Sequence, residues 1–228
     1  HKGNPKKINF LLLNNKFKDK VKHIVISDQF PDISNGWGCE SFQREKIFDG
    51  LNDALPDDYI MYSDSDEIPN PKKLENFILK KKYGIFMQKF FVYKLNIFNS
   101  YETPWEGSRI CKRKDLRSFT YLRKKILKKN IGKPFWKFNI EKKIDIINEG
   151  GWHFNNLYPI EIISKKLKVF PHKEFAAEKF SNIAVIEKKI ANLEDLFERG
   201  HKYQKEIIDE RYPEFILKNK EQYKDYIL

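Results

Sequence analysis

The stretch "DDYIMYSDSDEIPNP", residues 57–71, sets three carboxylates directly after a short apolar run. The run "YIMYS", residues 59–63, predicts a short buried β-strand, and Asp64, Asp66 and Glu67 follow at its carboxyl end. Carboxylates this close repel one another unless a cation lies among them or water screens them. The cluster is therefore either a solvated turn or a site for a cation.

Predicted strands and helices alternate around this stretch. Asn70 and Pro71 are typical of a helix N-cap followed by the first helical residue, so a helix is predicted after the carboxylates. The spacing of apolar residues predicts strands over 21–27, 84–96 and 143–151, and helices over 39–55 and 71–82. This β-α-β-α order predicts an α/β fold in which helices flank a sheet.

The C-terminal part of the chain is predicted to be helical. The final residues 213–228 are typical of a helix, and no internal repeat or low-complexity linker interrupts the chain before them. A second, amphipathic helix is predicted from five apolar residues at helical spacing: Ile183, Ile186, Ile190, Leu193 and Phe197. We therefore predict a single domain over residues 1–228 with a helical C-terminal part, residues 174–228.

Length and composition exclude several classes of protein. With 228 residues and 40% hydrophobic content, the chain can bury a sizeable core and is globular, not disordered. Two cysteines are too few for a disulfide scaffold. No apolar run approaches the about 18 residues of a membrane-spanning helix, and the first residues lack the apolar segment of a signal peptide. A cytoplasmic location is the resulting prediction.

The net charge of +12 suggests an anionic partner. Much of the excess lies in residues 112–133, which contain ten Lys or Arg and the single acid Asp115. This segment is either a solvated surface or a patch for anionic lipid headgroups at the inner face of a membrane. No nucleic-acid-binding signature is present, so no nucleic-acid partner is predicted.

An Asp-x-Asp pair at the end of a strand suits a divalent cation. Open α/β sheets bind their ligands at the carboxyl ends of the strands, and two acids one residue apart can direct oxygens toward one ion. Mg²⁺ or Mn²⁺ bound in this way commonly completes its shell with substrate phosphates and water. The pattern predicts that Asp64 and Asp66 bind such a metal.

Longer segments resemble a known family. "MYSDSDEIPNP" looks like the signature of glycosyltransferase family 17, the β-1,4-mannosyl-glycoprotein β-1,4-N-acetylglucosaminyltransferases, in which a strand precedes SDxDEIP. "NEGGWHFNNL" (148–157) resembles the family's acidic-x-Gly-Trp-His segment, and "KKLKVFPHKEF" (165–175) resembles its Lys-rich stretch with a following His. "HKGNPKKINF", "ESFQREKIFDGL" and the C-terminal helices also fit, so the resemblance runs along nearly the whole chain in order.

The resemblance implies a GT-A fold, a nucleotide-sugar-binding sheet with an acceptor region after it. The implied reaction moves a sugar, N-acetylglucosamine, from a UDP-sugar donor to a glycan hydroxyl with inversion at the anomeric carbon. Mn²⁺ or Mg²⁺ held by Asp66 and Asp64 would neutralise the charge that develops on the departing diphosphate. GT-A precedent adds a late His, for which His172 is the first choice. His153 is either a donor-binding residue or a packing residue beside its Trp neighbour.

The remaining roles are assigned to five residues. An inverting attack needs a base, and a partly buried carboxylate suits this task. Glu149 is the first candidate because it closes the predicted strand 143–151 and precedes two glycines, and Glu106 is the second. Arg109 is predicted to bind diphosphate oxygens. Trp152, like Trp105, either stacks on the donor or packs in the core.

The sequence also departs from the family's pattern. The chain begins after the place of the family's first strand, so part of the expected nucleotide pocket is either absent or lies outside this sequence. Phe154 stands where animal and plant members have Cys, which leaves their acceptor, a complex N-glycan, in doubt. A haloacid-dehalogenase-type phosphatase also uses Asp-x-Asp, although it would want Thr or Val where Ile68 stands. A non-catalytic, glycan-binding relative is the other alternative.

Overall fold

The computed structural model describes residues 15–31, 36–169 and 177–228, and this part of the chain is a mixed α/β structure. The strands are β1 (Tyr59–Tyr62), β2 (Glu67–Pro69), β3 (Tyr83–Val92), β4 (Ile97–Phe98), β5 (Trp105–Lys112), β6 (Ile144–Asn155) and β7 (Gln204–Lys205). The α-helices are α1 (Gly36–Glu45), α2 (Phe119–Lys125), α3 (Ile160–Val169), α4 (Glu178–Ser181), α5 (Ile183–Ala191) and α6 (Glu214–Lys218). Short 3₁₀ segments cover Asn15–Lys20, Lys46–Gly50, Pro71–Lys73, Arg113–Asp115, Lys128–Asn130 and Lys220–Tyr226. The predicted α/β class is thereby confirmed.

β3 is the centre of the sheet. It pairs in parallel with β6 along one edge, with Phe90 opposite His153, and antiparallel with β5 and β4 along the other edge. β1 lies outside β5, β2 lies outside β6, and β7 pairs with β4. A strand covered on both faces reads as a near-continuous apolar run, and β3, "YGIFMQKFFV", has that composition.

The connection that carries the carboxylates joins strands at opposite edges of the sheet. Three strands lie between β1 and β2, a separation of about 19 Å in a flat sheet. The chain from Tyr62 to Glu67 could bridge at most about 18 Å when fully extended, yet residues 65 and 66 form a turn. The sheet therefore curls, and the indole of Trp105 on β5 donates to Glu67 on β2 at 2.9 Å.

The helices bury both faces of this sheet. One core cluster lies between β1, β3, β5 and α2, where Phe119 and Leu122 are buried. A second joins Phe90 to α3 and α5 through Ile163 and Ile186. In a third cluster the C-terminal segment covers Phe91 and Trp152. No helix within the described ranges is both long and apolar enough to cross a membrane.

Several predicted elements are wrong, each because tertiary contacts outweigh local pattern. Residues 21–27 form no strand, and Val25 is exposed because no neighbouring strand pairs with this segment. Asn70 does cap a helical turn, its side chain accepting from the Lys72 N–H, but the turn ends at Lys73. The helix predicted over 71–82 is therefore wrong beyond Lys73. Phe77 instead packs on the rings of Tyr59 in β1 and Phe86 in β3. The helix predicted over 39–55 is α1, which ends at Glu45, followed by a 3₁₀ segment.

An ion pair between a buried carboxylate and an exposed arginine ties the C-terminal segment together. Asp195 is almost fully buried and accepts three hydrogen bonds of 2.9 Å from the backbone and guanidinium of Arg199 and one from Tyr203. Burial alone would raise the pKa of Asp195, but these hydrogen bonds lower it to about 2. Arg199 also reaches Glu102, at 3.3 Å, so the network connects this segment to the loop before β5.

The Asp195→Asn substitution should lower the free energy of unfolding by about 2 kcal/mol at neutral pH, because charge-assisted hydrogen bonds are lost. The folded-state pKa of Asp195 lies below its unfolded value. Its contribution is therefore present above about pH 4 and is lost as the pH falls toward 2. Urea denaturation across this range should show the gap between wild type and variant closing. Asp209→Asn, which removes a solvent-exposed pair with Arg211, is the matched control and should cost much less.

Candidate functional site

The crowded carboxylates have an arginine among them. Asp64 Oδ2 forms an ion pair with Arg123 Nη2 at 2.9 Å, and Asp64 Oδ1 accepts from the Tyr62 hydroxyl at 2.6 Å. Glu67 lies 3.5 Å from the same nitrogen of Arg123. The cation that relieves the repulsion around these two acids is therefore a side chain from the basic stretch of the sequence.

Glu67 is the fully buried carboxylate of this cluster. Its side chain is fully shielded from solvent, and one carboxylate oxygen accepts from Trp105 Nε1 while the other is approached by the hydroxyl of Ser108. Burial raises the pKa of Glu67, and the nearby Arg123 opposes that rise. A buried carboxylate with these partners fixes the position of the indole and does not face a substrate.

Helix α2 delivers Arg123 to this place. The helix begins at a Ser118 N-cap, whose hydroxyl accepts from the third helical N–H, and Glu45 of α1 accepts the first two N–H groups. From its second turn, Arg123 extends over the ring of Trp105, with the guanidinium carbon 5.6 Å from the ring centroid. No sequence pattern indicates this role, because Arg123 stands among many Lys and Arg residues.

Asp66 lies on the other side of the turn, beside His153. Asp66 Oδ2 and His153 Nε2 are 3.3 Å apart, and the imidazole is only 6% exposed between the rings of Phe90 and Trp105. Neither ring nitrogen has a hydrogen-bond partner of good geometry within the described residues. Burial would raise the pKa of Asp66, but His153 and a backbone N–H lower it below its usual value. A buried imidazole left without an aligned partner is a costly arrangement that calls for a ligand.

A lysine completes the positive charge near Asp66. Lys166 of α3 donates to Asn156 Oδ1 at 2.8 Å and lies close enough to Asp66 that the two charges interact. Burial lowers the pKa of Lys166, while Asp66 opposes that change. Lys166 belongs to the Lys-rich segment 165–175, and the structure places its ammonium near the carboxylate of Asp66.

A pocket of about 470 Å³ opens on the Arg123 side of the cluster. It is lined by Tyr101, Glu102, Thr103, Pro104, Trp105, Glu106, Arg109, Arg123 and Leu127. Glu106 is half-buried and accepts from the Lys128 N–H at 3.0 Å, and Arg109 Nη2 lies 3.7 Å from its carboxylate. Trp105 and Arg123 belong both to this wall and to the carboxylate cluster, so pocket and cluster form one site.

Arg109 contributes to this site from behind the pocket wall. Its side chain is almost fully buried, and its guanidinium donates to the carbonyl groups of Glu106 and Gly107. Burial lowers the pKa of Arg109 to about 10, so it keeps its charge at neutral pH. Its binding of a diphosphate stays a prediction, and its observed contacts hold the backbone of β5.

The structure does not bring Glu149 to the cluster. The strand predicted to end there continues to Asn155, and Glu149 lies four residues before His153, in an irregular part of β6 where its φ is 53°. Its side chain is 84% exposed and pairs with Lys73 at 3.2 Å. The glycines that follow serve strand packing, because a Cβ on Gly151 would lie 2.1 Å from the Ile68 carbonyl oxygen.

Trp152 does not join the cluster either. Successive strand residues face opposite sides, so Trp152 points away from the His153 side. Its indole donates to the Arg211 carbonyl at 2.9 Å, and its ring packs in the core with Phe91 and Tyr212. Core packing is therefore the observed role of Trp152. His172 lies outside the described residues.

Asp66 and His153 fit a cation that is shared with a substrate. Two ligand atoms of one ion lie about 3 Å apart, close to the observed 3.3 Å. Among the described residues, no group of three or more His, Cys, Asp or Glu side chains could hold a metal. Asp64 is already occupied by Arg123 and Tyr62. The donor set therefore suits an ion that takes its remaining ligands from phosphate and water, not one enclosed by protein.

Comparison of the chain with models of protein families, with curated proteins and with solved structures gave no match. The family resemblance seen in the sequence therefore stays a prediction.

Proposed function

We propose that the chain is an inverting, metal-assisted glycosyltransferase of GT-A type. It moves a sugar, N-acetylglucosamine by its sequence resemblance, from a UDP-sugar to a glycan hydroxyl. The observation that carries the proposal is the buried imidazole of His153, 3.3 Å from Asp66 at the exit of β1 and next to a pocket. Within the described residues its ring nitrogens have no aligned hydrogen-bond partner. A carboxylate suits Mn²⁺ or Mg²⁺ that also binds a diphosphate, and an imidazole beside it favours the softer Mn²⁺ of the two.

The donor diphosphate is assigned to the Asp66 side of the site. Asp66 and His153 would hold the cation, which supplies neutralisation of the charge on the leaving group when it is bound. Lys166 adds a positive charge beside Asp66, and its hydrogen bond to Asn156 Oδ1 restricts where the ammonium can go. A fixed charge of this kind stabilises a developing anion without reorganisation during the reaction.

The acceptor is assigned to the pocket on the Arg123 side. Trp105 offers an apolar ring for a sugar face, and Glu67 fixes that ring by accepting its N–H at 2.9 Å. Glu106 is the carboxylate of the pocket that we assign as base, because its side chain is partly exposed there and its orientation is held by the Lys128 N–H. Glu149 is exposed and paired with Lys73, and it does not line this pocket.

The alternatives receive less support from the same contacts. A phosphatase of the haloacid-dehalogenase type would need Asp64 as a nucleophile, but both of its oxygens are engaged, by Arg123 and by Tyr62. A glycan-binding protein without activity would use the pocket alone. That function would not explain why Asp66 lies beside His153, whose ring nitrogens have no aligned hydrogen-bond partner among the described residues.

The proposal is tested by binding and turnover of nucleotide sugars. We expect UDP to bind in the presence of Mn²⁺, measured by isothermal titration calorimetry, and to lose most of its affinity in EDTA. We also expect UDP release from a panel of UDP-sugars with sugar acceptors, followed by mass spectrometry of the products. Metal-independent phosphate release from a phosphomonoester would favour the phosphatase, and glycan binding without any UDP binding would favour the inactive relative.

A further inference from the structure

The segment after α2 presents an unusual run of exposed aromatic side chains. Residues 131–139, called here the aromatic loop, are all exposed. Within it Phe135 is 78% exposed, Trp136 62% and Phe138 87%. Scattered single apolar residues are normal on a protein surface, but three large rings within four residues form a patch that marks an interaction site.

This loop is held in shape by its own hydrogen bonds. The ammonium of Lys142 donates to the carbonyl groups of Pro134, Phe135 and Lys137, at 2.7, 3.2 and 2.9 Å. The Lys137 N–H also donates to the Pro134 carbonyl, at 3.1 Å. These bonds restrict the backbone while the rings stay in water. The rings are therefore exposed on a loop whose backbone is already ordered. Binding a partner then costs less conformational entropy than it would for a flexible loop.

Positive charge surrounds these rings. Residues 128–143 contain six lysines, at 128, 129, 133, 137, 142 and 143, and the single acid Glu141. The earlier half of the predicted basic patch is different, because Lys112 and Lys114 both pair with Asp57 and Arg123 pairs with Asp64. Part of the positive charge in the earlier half is thus neutralised by ion pairs within the described residues.

Aromatic rings interspersed with lysines fit the surface of an anionic membrane. Trp and Phe settle at the boundary between headgroups and acyl chains, and lysines contribute about 1 kcal/mol each near anionic lipid. Lysine is depleted from protein interfaces, which disfavours a protein partner. A nucleic acid would need ring faces open for successive bases, but Phe135 and Trp136 meet edge to face at 80°.

We propose that the aromatic loop inserts into the interface of a membrane containing anionic phospholipids and anchors the protein there peripherally. The loop follows directly on the pocket wall, since Leu127 lines the pocket and the Lys128 N–H donates to Glu106. Docking through the loop therefore keeps the pocket close to the lipid surface. The proposal does not depend on which reaction the site performs.

The test is flotation of the purified chain with vesicles. One set is phosphatidylcholine alone, and the other contains about a third phosphatidylserine. We expect the wild type to bind the anionic vesicles and not the neutral ones, with binding that weakens as salt is raised. Replacing Phe135, Trp136 and Phe138 together with Ala should weaken binding by about tenfold or more. The substituted side chains are in solvent, so the thermal unfolding midpoint should be unchanged.

A matched control removes exposed apolar side chains from elsewhere. Ile78, Ile207 and Phe215 are 75%, 78% and 62% exposed, and the triple Ala variant at these positions should bind vesicles like the wild type. The proposal is overturned if the wild type does not bind anionic vesicles or if both triple variants bind equally. It is also overturned if the loop variant loses affinity for a single-stranded oligonucleotide while the wild type ignores lipid.

Discussion

Replacing Asp66 with Asn is expected to remove the Mn²⁺-dependent part of UDP binding, lowering the affinity by roughly 100-fold. The amide keeps the shape of the side chain but lacks the negative charge that makes Asp66 a ligand. The side chain is partly exposed, and its contact with His153 lacks good hydrogen-bond geometry. The free energy of unfolding should therefore change little. Titration calorimetry with UDP in Mn²⁺ and in EDTA measures the effect, and electron paramagnetic resonance reads Mn²⁺ binding directly.

Asp64→Asn is the matched control for this experiment. Asp64 is two residues away and similarly exposed, but its oxygens are occupied by Arg123 and the Tyr62 hydroxyl. We expect this variant to retain the dependence of UDP binding on Mn²⁺ while Arg123 becomes less firmly held. If Asp64→Asn loses that dependence and Asp66→Asn keeps it, the cation belongs to the other carboxylate and the role of His153 is wrong.

The elements that the sequence predicted well are those whose burial pattern is strong. β1, β3 and β6 were placed correctly within a few residues, because their apolar runs are buried in the sheet. The end of β6 was misjudged: Glu149 and two glycines resemble a strand terminus, but the chain passes through them and pairs as far as Asn155. β5 was missed, since its sequence "WEGSRICK" mixes polar and apolar residues without a clear alternation.

The carboxylates and His153 were also accessible from sequence, because their residue types and spacing carry chemistry. Arg123 and Glu67 were not assigned roles, because their contacts depend on how distant parts of the chain are aligned in the fold. The pairing of Asp64 with Arg123 depends on how α2 packs against β1, and the bond between Trp105 and Glu67 depends on the curl of the sheet. Both are long-range consequences of the fold, and no local pattern encodes them.

The Glu106→Gln substitution is expected to cut sugar transfer by roughly 100-fold or more while leaving UDP-sugar affinity within about threefold. Gln fills the same volume and can still accept from the Lys128 N–H, so the pocket should keep its shape. It cannot take a proton from the acceptor hydroxyl, so the chemical step fails while binding survives. UDP release from UDP-N-acetylglucosamine with a β-mannoside acceptor measures the first quantity, and calorimetry measures the second.

Two further carboxylates make this prediction discriminating. Glu102 lines the same pocket but is paired with Arg199 at 3.3 Å, so Glu102→Gln should reduce transfer far less than Glu106→Gln. Glu149→Gln alters an exposed side chain that pairs with Lys73 outside the carboxylate cluster, and it should leave both quantities near wild type. If only Glu149→Gln loses transfer activity, Glu149 is the catalytic base, as the sequence predicted, and Glu106 is not. That result would mean that the acceptor approaches from the β2 edge of the sheet and not through the pocket beside Trp105.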